Sequence, residues 1–200
     1  MENRYRKAQF LQSASHFNQL PPGGAEVAFV GRSNAGKSSV LNALTQQKDL
    51  AKTSKTPGRT QLINAFSFLP QEWLIDLPGY GYAKVPVSVK QKWQAMLHQY
   101  LEERDALKGL VVIMDIRHPL MELDEMMIAW AIQSNLQVHL LLNKADKVSK
   151  SEANQTLFKV QKKYEHFQQV SAQLFSALNG LGLKTLIVQM EKMFEKTPVR

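Results

Sequence analysis

The sequence contains no cysteine and no apolar run long enough to span a bilayer. The lack of cysteine excludes disulfides and thiolate metal sites, and it fits a reducing compartment. The longest apolar stretches, Leu110–Met114 and Val138–Leu142, have only the length of strands. The segment Met1–Phe10 is polar and basic and has no apolar run behind it, unlike a secretory signal. We therefore expect a soluble, cytoplasmic protein with no membrane partner.

The chain is otherwise of ordinary globular composition, with 200 residues of which 44% are hydrophobic and 21% charged. That length fits one domain with its own core. The formal net charge is +8 and the sequence pI about 9.6, which favours a polyanionic partner such as RNA, DNA or anionic lipid. Many basic proteins bind no nucleic acid, however. The five histidines are scattered without the spacing of metal ligands.

Short apolar runs alternate with helical patterns along the chain. Val27–Val30, Leu110–Met114 and Val138–Leu142 are typical of buried strands, and Ile63–Leu69 and Trp73–Ile75 flank a turn short enough for a hairpin. This order predicts an α/β fold, a three-layer sandwich whose mostly parallel sheet has about six strands and one antiparallel edge strand. Residues 1–22 are predicted to be an N-terminal extension, and residues 23–200 the domain. Ligands of such sheets bind at the carboxyl ends of the strands.

One segment matches the phosphate-binding P-loop pattern G-x-x-x-x-G-K-[ST] in full. A strand precedes it and a helix follows it, so backbone N–H groups and the helix dipole can converge on an anion. Lys37 is expected to neutralise the β- and γ-phosphates, and the Ser38 hydroxyl to ligate Mg²⁺. The predicted loop consists of Gly31, Arg32, Ser33, Asn34, Ala35, Gly36, Lys37 and Ser38.

A second motif selects the base. Asn143, Lys144, Ala145 and Asp146 follow a buried strand. The Asp146 carboxylate can accept hydrogen bonds from N1–H and the exocyclic amine of guanine. Adenine has neither donor at those positions, so such a site discriminates by roughly 10⁴-fold. The sequence therefore predicts GTP and GDP as ligands and argues against an ATP-using enzyme.

Two further segments fit a GTPase. Asp76, Leu77, Pro78 and Gly79 follow a strand, so the Asp76 carboxylate would reach Mg²⁺ through water and the Gly79 N–H would sense the γ-phosphate. Thr60 is the favoured loop threonine for the Mg²⁺ shell, with Thr53 and Thr56 as competitors.

A final pair of residues, Ser176 and Ala177, follows the last predicted strand. There a backbone amide would meet the guanine oxygen. Taken alone, this pair is uninformative.

The order of these motifs resembles that of Ras-like GTPases of the translation-factor-related class. The segments Gly31–Ser39, Lys55–Asn64, Asp76–Tyr82 and Asp115–Leu120 resemble the EngB family of bacterial GTPases in particular. The resemblance implies a role in assembly of the large ribosomal subunit, and an older description implies cell division and septation.

By motif, the resemblance also implies which residues contact the nucleotide. They are Gly31–Ser38, Gly58, Arg59, Thr60, Gln61, Leu62, Asp76–Gly79, Asn143–Asp146, Phe175, Ser176 and Ala177, with Mg²⁺ on Ser38 and Thr60.

Hydrolysis is expected to be slow. Tyr80 stands where Ras has the glutamine that orients water, so unassisted turnover near ~10⁻⁴ per second or below is predicted by analogy. The catalytic residues are then Lys37, Thr60, Gly79 and Asn34. Something else must complete the site: either the partner, which could donate a residue or order the loops, or a K⁺ ion near Asn34, as the resemblance to related GTPases with asparagine at this position implies. Asn34 also suits a loop position of unusual φ. Arg59 could act as a finger in cis, contact a partner or be solvated.

Several surfaces could meet a partner. Lys48, Lys52, Lys55 and Arg59 form a basic loop that we expect to meet ribosomal RNA, although each lysine cluster could equally be a solvated face. Tyr80, Tyr82 and Trp93 could face a partner or pack the loop after Gly79 onto the domain. No apolar surface helix stands out, so a monomer is expected. The rival hypothesis is a switch that acts through a protein complex in division.

Overall fold

The computed structural model describes residues 3–51, 62–81 and 86–195. Within these ranges the chain forms seven strands and five α-helices, joined by short 3₁₀ turns. The strands are β1 (Gln9–Ala14), β2 (Ala25–Gly31), β3 (Ile63–Leu69), β4 (Glu72–Asp76), β5 (Leu107–Asp115), β6 (Gln137–Asn143) and β7 (Val170–Leu174). The helices are α1 (Lys37–Thr45), α2 (Val87–Glu103), α3 (Glu122–Gln133), α4 (Lys150–Lys163) and α5 (Leu183–Glu195).

The strands form one sheet in the order β1-β3-β4-β2-β5-β6-β7. The run from β4 to β7 is parallel throughout, and β3 is antiparallel to both of its neighbours. The predicted α/β class and the β3–β4 hairpin are thus confirmed. The strand count differs from the expected six because β1 is an additional strand, which also places β3 inside the sheet instead of at its edge.

Strand β1 comes from the segment predicted to be an N-terminal extension. Its outward positions are largely exposed, so it lacks the apolar alternation that predicts a strand. It is held by its ladder with β3, by a Ser13–Asn64 side-chain hydrogen bond of 2.6 Å, and by Phe10 packing edge-on to Phe66. Nearby, Tyr5 is fully buried.

Two apolar layers cover the sheet. Alternate residues of a parallel strand point to opposite faces, so Val27 and Phe29 of β2 join α1 and α5 on one side. Ala28 and Val30 join α2, α3 and α4 on the other. This is the predicted three-layer sandwich. Among the helices described, none has the length and apolar character to traverse a membrane.

Candidate functional site

The P-loop runs from the end of β2 to the start of α1, as predicted. Its two glycines are each required for a different steric reason. A Cβ on Gly31 would lie 2.6 Å from the carbonyl oxygen of Ile113 on β5. Gly36 has φ +97° and its Cβ would collide with the amide of Asn143. Asn34 also adopts the left-handed region, with φ 67°. The loop conformation therefore depends on close backbone approach that other side chains would block.

The first turn of α1 is open to an anion. Its N-cap is Gly36, which makes no side-chain cap, and no acidic residue lies in the turn. The first N–H groups of a helix have no intrahelical partner and carry partial positive charge. Together with the Lys37 ammonium, they form an electropositive cradle of the kind that binds phosphate.

Lys37 meets Asp76 at this cradle. The parallel register of β2 and β4 pairs Phe29 with Asp76 and brings the carboxyl ends of both strands together. The Lys37 ammonium donates to the Asp76 carboxylate, and their side chains are only 13% and 10% exposed. Ser38 follows at the start of α1. Asp76 and Ser38 are the described members of the predicted Mg²⁺ site.

The segment after Asp76 is bonded to the P-loop. The N–H of Leu77 donates to Phe29 over 3.0 Å. Tyr80 donates its N–H to Gly31 over 3.2 Å and accepts from the N–H of Ser33 over 2.7 Å. Pro78 is buried and Gly79 half-buried between these anchors. The backbone thus holds Gly79 beside the phosphate cradle.

The Tyr80 side chain turns away from that cradle. Its hydroxyl donates to the buried carboxylate of Asp124 over 2.6 Å, and its ring lies 5.7 Å from that of Trp93. Tyr80 and Trp93 are 2% and 7% exposed. Burial raises the pKa of Tyr80 well above its ordinary value, and it also raises the pKa of Asp124. The sequence left open whether these aromatic residues face a partner or pack onto the domain. Tyr80 and Trp93 pack onto the domain, and Tyr82 lies outside the described residues.

Asn143 joins the two halves of the site. Its side chain is 2% exposed. Its amide donates to the carbonyl of Ala35 in the P-loop over 2.8 Å, and its oxygen accepts from the N–H of Ala177 over 3.4 Å. The phosphate loop and the loop after β7 are thereby held at a fixed separation.

The predicted guanine-reading carboxylate is oriented by a neighbour. Asp146 accepts a 2.6 Å hydrogen bond from the Ser176 hydroxyl. This bond is the largest cause that lowers the pKa of Asp146, so the carboxylate is ionised at neutral pH. The N–H of Ser176 donates to Leu181 over 3.1 Å, whereas the N–H of Ala177 makes the 3.4 Å contact with Asn143, which a guanine oxygen would have to replace.

Phe175 and Ala145 shape this loop from within. Phe175 is fully buried against α1 and α5, and its N–H and C=O bond to Leu142 and to the N–H of Ala145. Sequence motifs placed both residues among the nucleotide contacts. Their described contacts are with protein.

Asp115 and Arg117 belong to the segment Asp115–Leu120, in which the sequence motifs assigned neither residue a role. The Asp115 carboxylate accepts from Arg117 and from Lys144, whose ammonium also donates to the carbonyl of Asn34 over 2.6 Å. The signal that could have found Asp115 is its position directly after a buried strand, at the ligand-binding edge.

The other predicted loop lies outside the described residues, which include Leu62 but not Gly58, Arg59, Thr60 and Gln61. The same holds for Thr53 and Thr56, the competitors of Thr60.

This arrangement of phosphate loop, Asp76 segment and base-reading loop at one sheet edge is that of the P-loop GTPases. Over residues 26–144 the chain matches the model of a family described as 50S ribosome-binding GTPase. It is 54% identical over 192 residues to the probable GTP-binding protein EngB of Vibrio parahaemolyticus, covering 95% of this chain and 88% of that protein. It is 50% identical over 196 residues to the EngB protein of Coxiella burnetii, covering 97% and 96%. The chain belongs to the EngB family of GTP-binding proteins.

Solved structures show the same fold. A crystal structure of a probable GTP-binding protein EngB superposes with a TM-score of 0.68 at 21% identity, covering 85% of this chain and 98% of that one. Era in complex with MgGDPNP and nucleotides 1506-1542 of 16S ribosomal RNA superposes with a TM-score of 0.64 at 26% identity, covering 88% and 59%.

Proposed function

We propose that this protein is a Mg²⁺-dependent GTPase switch that binds the maturing large ribosomal subunit with GTP and leaves after hydrolysis. The observation that carries the proposal is the Asn143 side chain, which ties the phosphate loop to the guanine loop at one sheet edge. Such a site reads the base and the phosphates together. The family description, a 50S ribosome-binding GTPase, supports the large subunit as the partner.

The residues present fit Mg²⁺. Gly31 and Gly36 permit the close backbone approach that shapes the phosphate loop, and Ser38 lies in the first turn of α1 next to Lys37, whose ammonium contacts Asp76. We propose that Ser38 and Thr60 hold the ion, with Asp76 acting through water. When bound, Mg²⁺ neutralises charge on the β- and γ-phosphates. The Era structure that this fold resembles contains MgGDPNP, which supports the assignment.

The chain's own residues then position the phosphates. Lys37 would exchange its contact with Asp76 for the phosphate oxygens, and the Gly79 N–H would face the γ-phosphate. Tyr80 offers no group to orient water, because its hydroxyl is committed to Asp124. We therefore propose slow intrinsic hydrolysis, near ~10⁻⁴ per second or below by analogy with unassisted Ras.

A K⁺ ion near Asn34 is proposed as the missing catalytic charge. Asn34 is exposed on the phosphate loop and in the left-handed region, so its side chain is open to an ion. Single-turnover hydrolysis measured in equimolar KCl and NaCl tests this. Faster hydrolysis in K⁺ is expected, and equal rates would remove the ion from the mechanism.

The proposed ribosome contact is electrostatic. Lys48 is exposed beside the P-loop helix, and Lys159, Lys162 and Lys163 are exposed on α4. Each phosphate that such lysines neutralise releases counterions, so binding should weaken steeply with salt. Lys52, Lys55 and Arg59, which belong to the same predicted basic loop, lie outside the described residues.

Sedimentation with ribosomal subunits tests the proposed function. The protein is loaded with a non-hydrolysable GTP analogue or with GDP and spun with purified subunits at several salt concentrations. The expected result is analogue-dependent, salt-sensitive association with the large subunit. A Lys48→Ala variant should weaken association and reduce the salt slope by about 1, while Lys184→Ala on α5 serves as its matched control. No association in either nucleotide state would reject the ribosome proposal and favour a division complex.

A further inference from the structure

Strand register places a carboxylate beside the base-reading motif. Asp115, the last residue of β5, pairs with Asn143, the last residue of β6. Its side chain is 15% exposed. It accepts from the backbone N–H of Arg117 over 3.1 Å and from the Arg117 guanidinium over 2.9 and 2.7 Å. The fourth donor is the Lys144 ammonium, at 3.0 Å.

Lys144 connects this carboxylate to the phosphate loop. Its ammonium donates to the carbonyl of Asn34 over 2.6 Å as well as to Asp115. Both Lys144 and Asn34 have positive φ, 64° and 67°, a conformation that non-glycine residues adopt at a cost. The Asp115–Lys144–Asn34 chain therefore joins two strained backbone positions across the mouth of the site.

The Asp115 carboxylate fixes the position of the Lys144 ammonium. A lysine ammonium is a strongly hydrated point charge on a flexible side chain. A hydrogen bond to one carbonyl alone compensates poorly for the loss of that hydration. Asp115 supplies the opposite charge, and its hydrogen bond from Arg117 is the main cause that holds its pKa far below the ordinary range. The Asp115 carboxylate is therefore ionised at neutral pH, as its pairing with the Lys144 ammonium requires.

We propose that Asp115 is a positioning residue of the nucleotide site. It holds the Lys144 ammonium on the Asn34 carbonyl and so keeps the phosphate loop and the guanine loop in their binding geometry before a nucleotide arrives. The role concerns guanine-nucleotide affinity and is independent of the ribosome.

A double-mutant cycle on GDP affinity tests the proposal. The proteins are the wild type, Asp115→Asn, Lys144→Met and the double variant, each titrated with GDP by calorimetry. Asp115→Asn should weaken GDP about tenfold, the size of one charge-assisted hydrogen bond. Because Asp115 acts through Lys144, the double variant should bind GDP within about twofold of Lys144→Met alone. Additive losses would overturn the proposal.

Three further variants separate positioning from a general effect on the fold. Asp115→Glu keeps the charge and should recover most of the affinity lost in Asp115→Asn; equal losses in both would count against the proposal. It also supplies a second arm if the asparagine variant does not fold. Arg117→Gln should cost about twofold or less, because Arg117 is 46% exposed. A tenfold loss there would mean that Asp115 acts through Arg117.

Glu125→Gln is the matched control, since it breaks the exposed Glu125–Lys163 ion pair between α3 and α4. It should leave GDP affinity unchanged, and a loss there comparable to that of Asp115→Asn would show that removing any surface ion pair has this effect.

Discussion

At the scale of single residues, the site is built by side chains that orient other side chains. Ser176 fixes the carboxylate of Asp146, and Asp124 retains the hydroxyl of Tyr80. A comparable buried polar group lies within the sheet, in β6. His139, 1% exposed in β6, makes contacts of 2.8 Å to the Ser171 hydroxyl and 2.9 Å to the Gln173 side-chain oxygen. Because that oxygen only accepts, the histidine Nε2 carries a proton.

His139 predicts a pH dependence of stability. Burial lowers the pKa of His139 to about 4, whereas an unfolded histidine titrates near 6.5. The unfolded chain therefore takes up the proton first as the pH falls. The stabilisation is complete above about 6.5 and is lost as the pH falls to about 4, amounting to about 2 to 3 kcal/mol. Urea unfolding at pH 7 and pH 4.5 should show a smaller decline for His139→Gln than for the wild type. The exposed-site control His98→Gln should decline like the wild type, and an equal decline in all three would refute the assignment.

At the scale of elements, short apolar runs predicted the central strands and the β3–β4 hairpin to within a few residues. The runs of β2, β5 and β6 are almost entirely buried, and Ser149 caps α4 by accepting from the N–H of Glu152. Strand β1 was not predictable, because its ladder with β3 joins residues about 50 positions apart and its exposed side chains carry no pattern. A polar contact between β2 and the end of α2 could not be predicted from the sequence either. In it, Glu26 accepts from Tyr100 and Arg104.

The Glu26–Arg104 pair predicts a large, asymmetric loss of stability. Glu26 is fully buried, and Arg104 also donates to the carbonyl of Pro21 over 2.6 Å. Arg104→Met leaves a buried carboxylate without its charge partner and should lower the free energy of unfolding by about 3 to 5 kcal/mol. Adding Glu26→Gln should restore part of that loss. Denaturant titrations measure both, with Glu125→Gln, at less than about 1 kcal/mol, as the exposed-pair control. A double variant less stable than Arg104→Met would contradict this explanation.

At the scale of the whole molecule, one edge of the sheet gathers segments that lie far apart in the chain. The motif residues of this edge could be predicted because each motif is a continuous stretch of sequence that follows a strand, as Gly31–Ser38 follows β2. The supporting contacts could not, because Asp115–Lys144 and Tyr80–Asp124 join residues 29 and 44 positions apart through tertiary packing. In the proposed site, the guanine preference is assigned to a single carboxylate, Asp146.

The most direct test of the account is the nucleotide preference of Asp146→Asn, measured by calorimetry with GDP and XDP. Xanthine carries an oxygen where guanine carries its exocyclic amine, so an asparagine amide can donate to it while losing the guanine contact. GDP affinity should fall by about 10³-fold or more, and XDP should become the tighter ligand. Unchanged GDP affinity, with XDP still weak, would mean that Asp146 does not read the base and would contradict the assignment of the site.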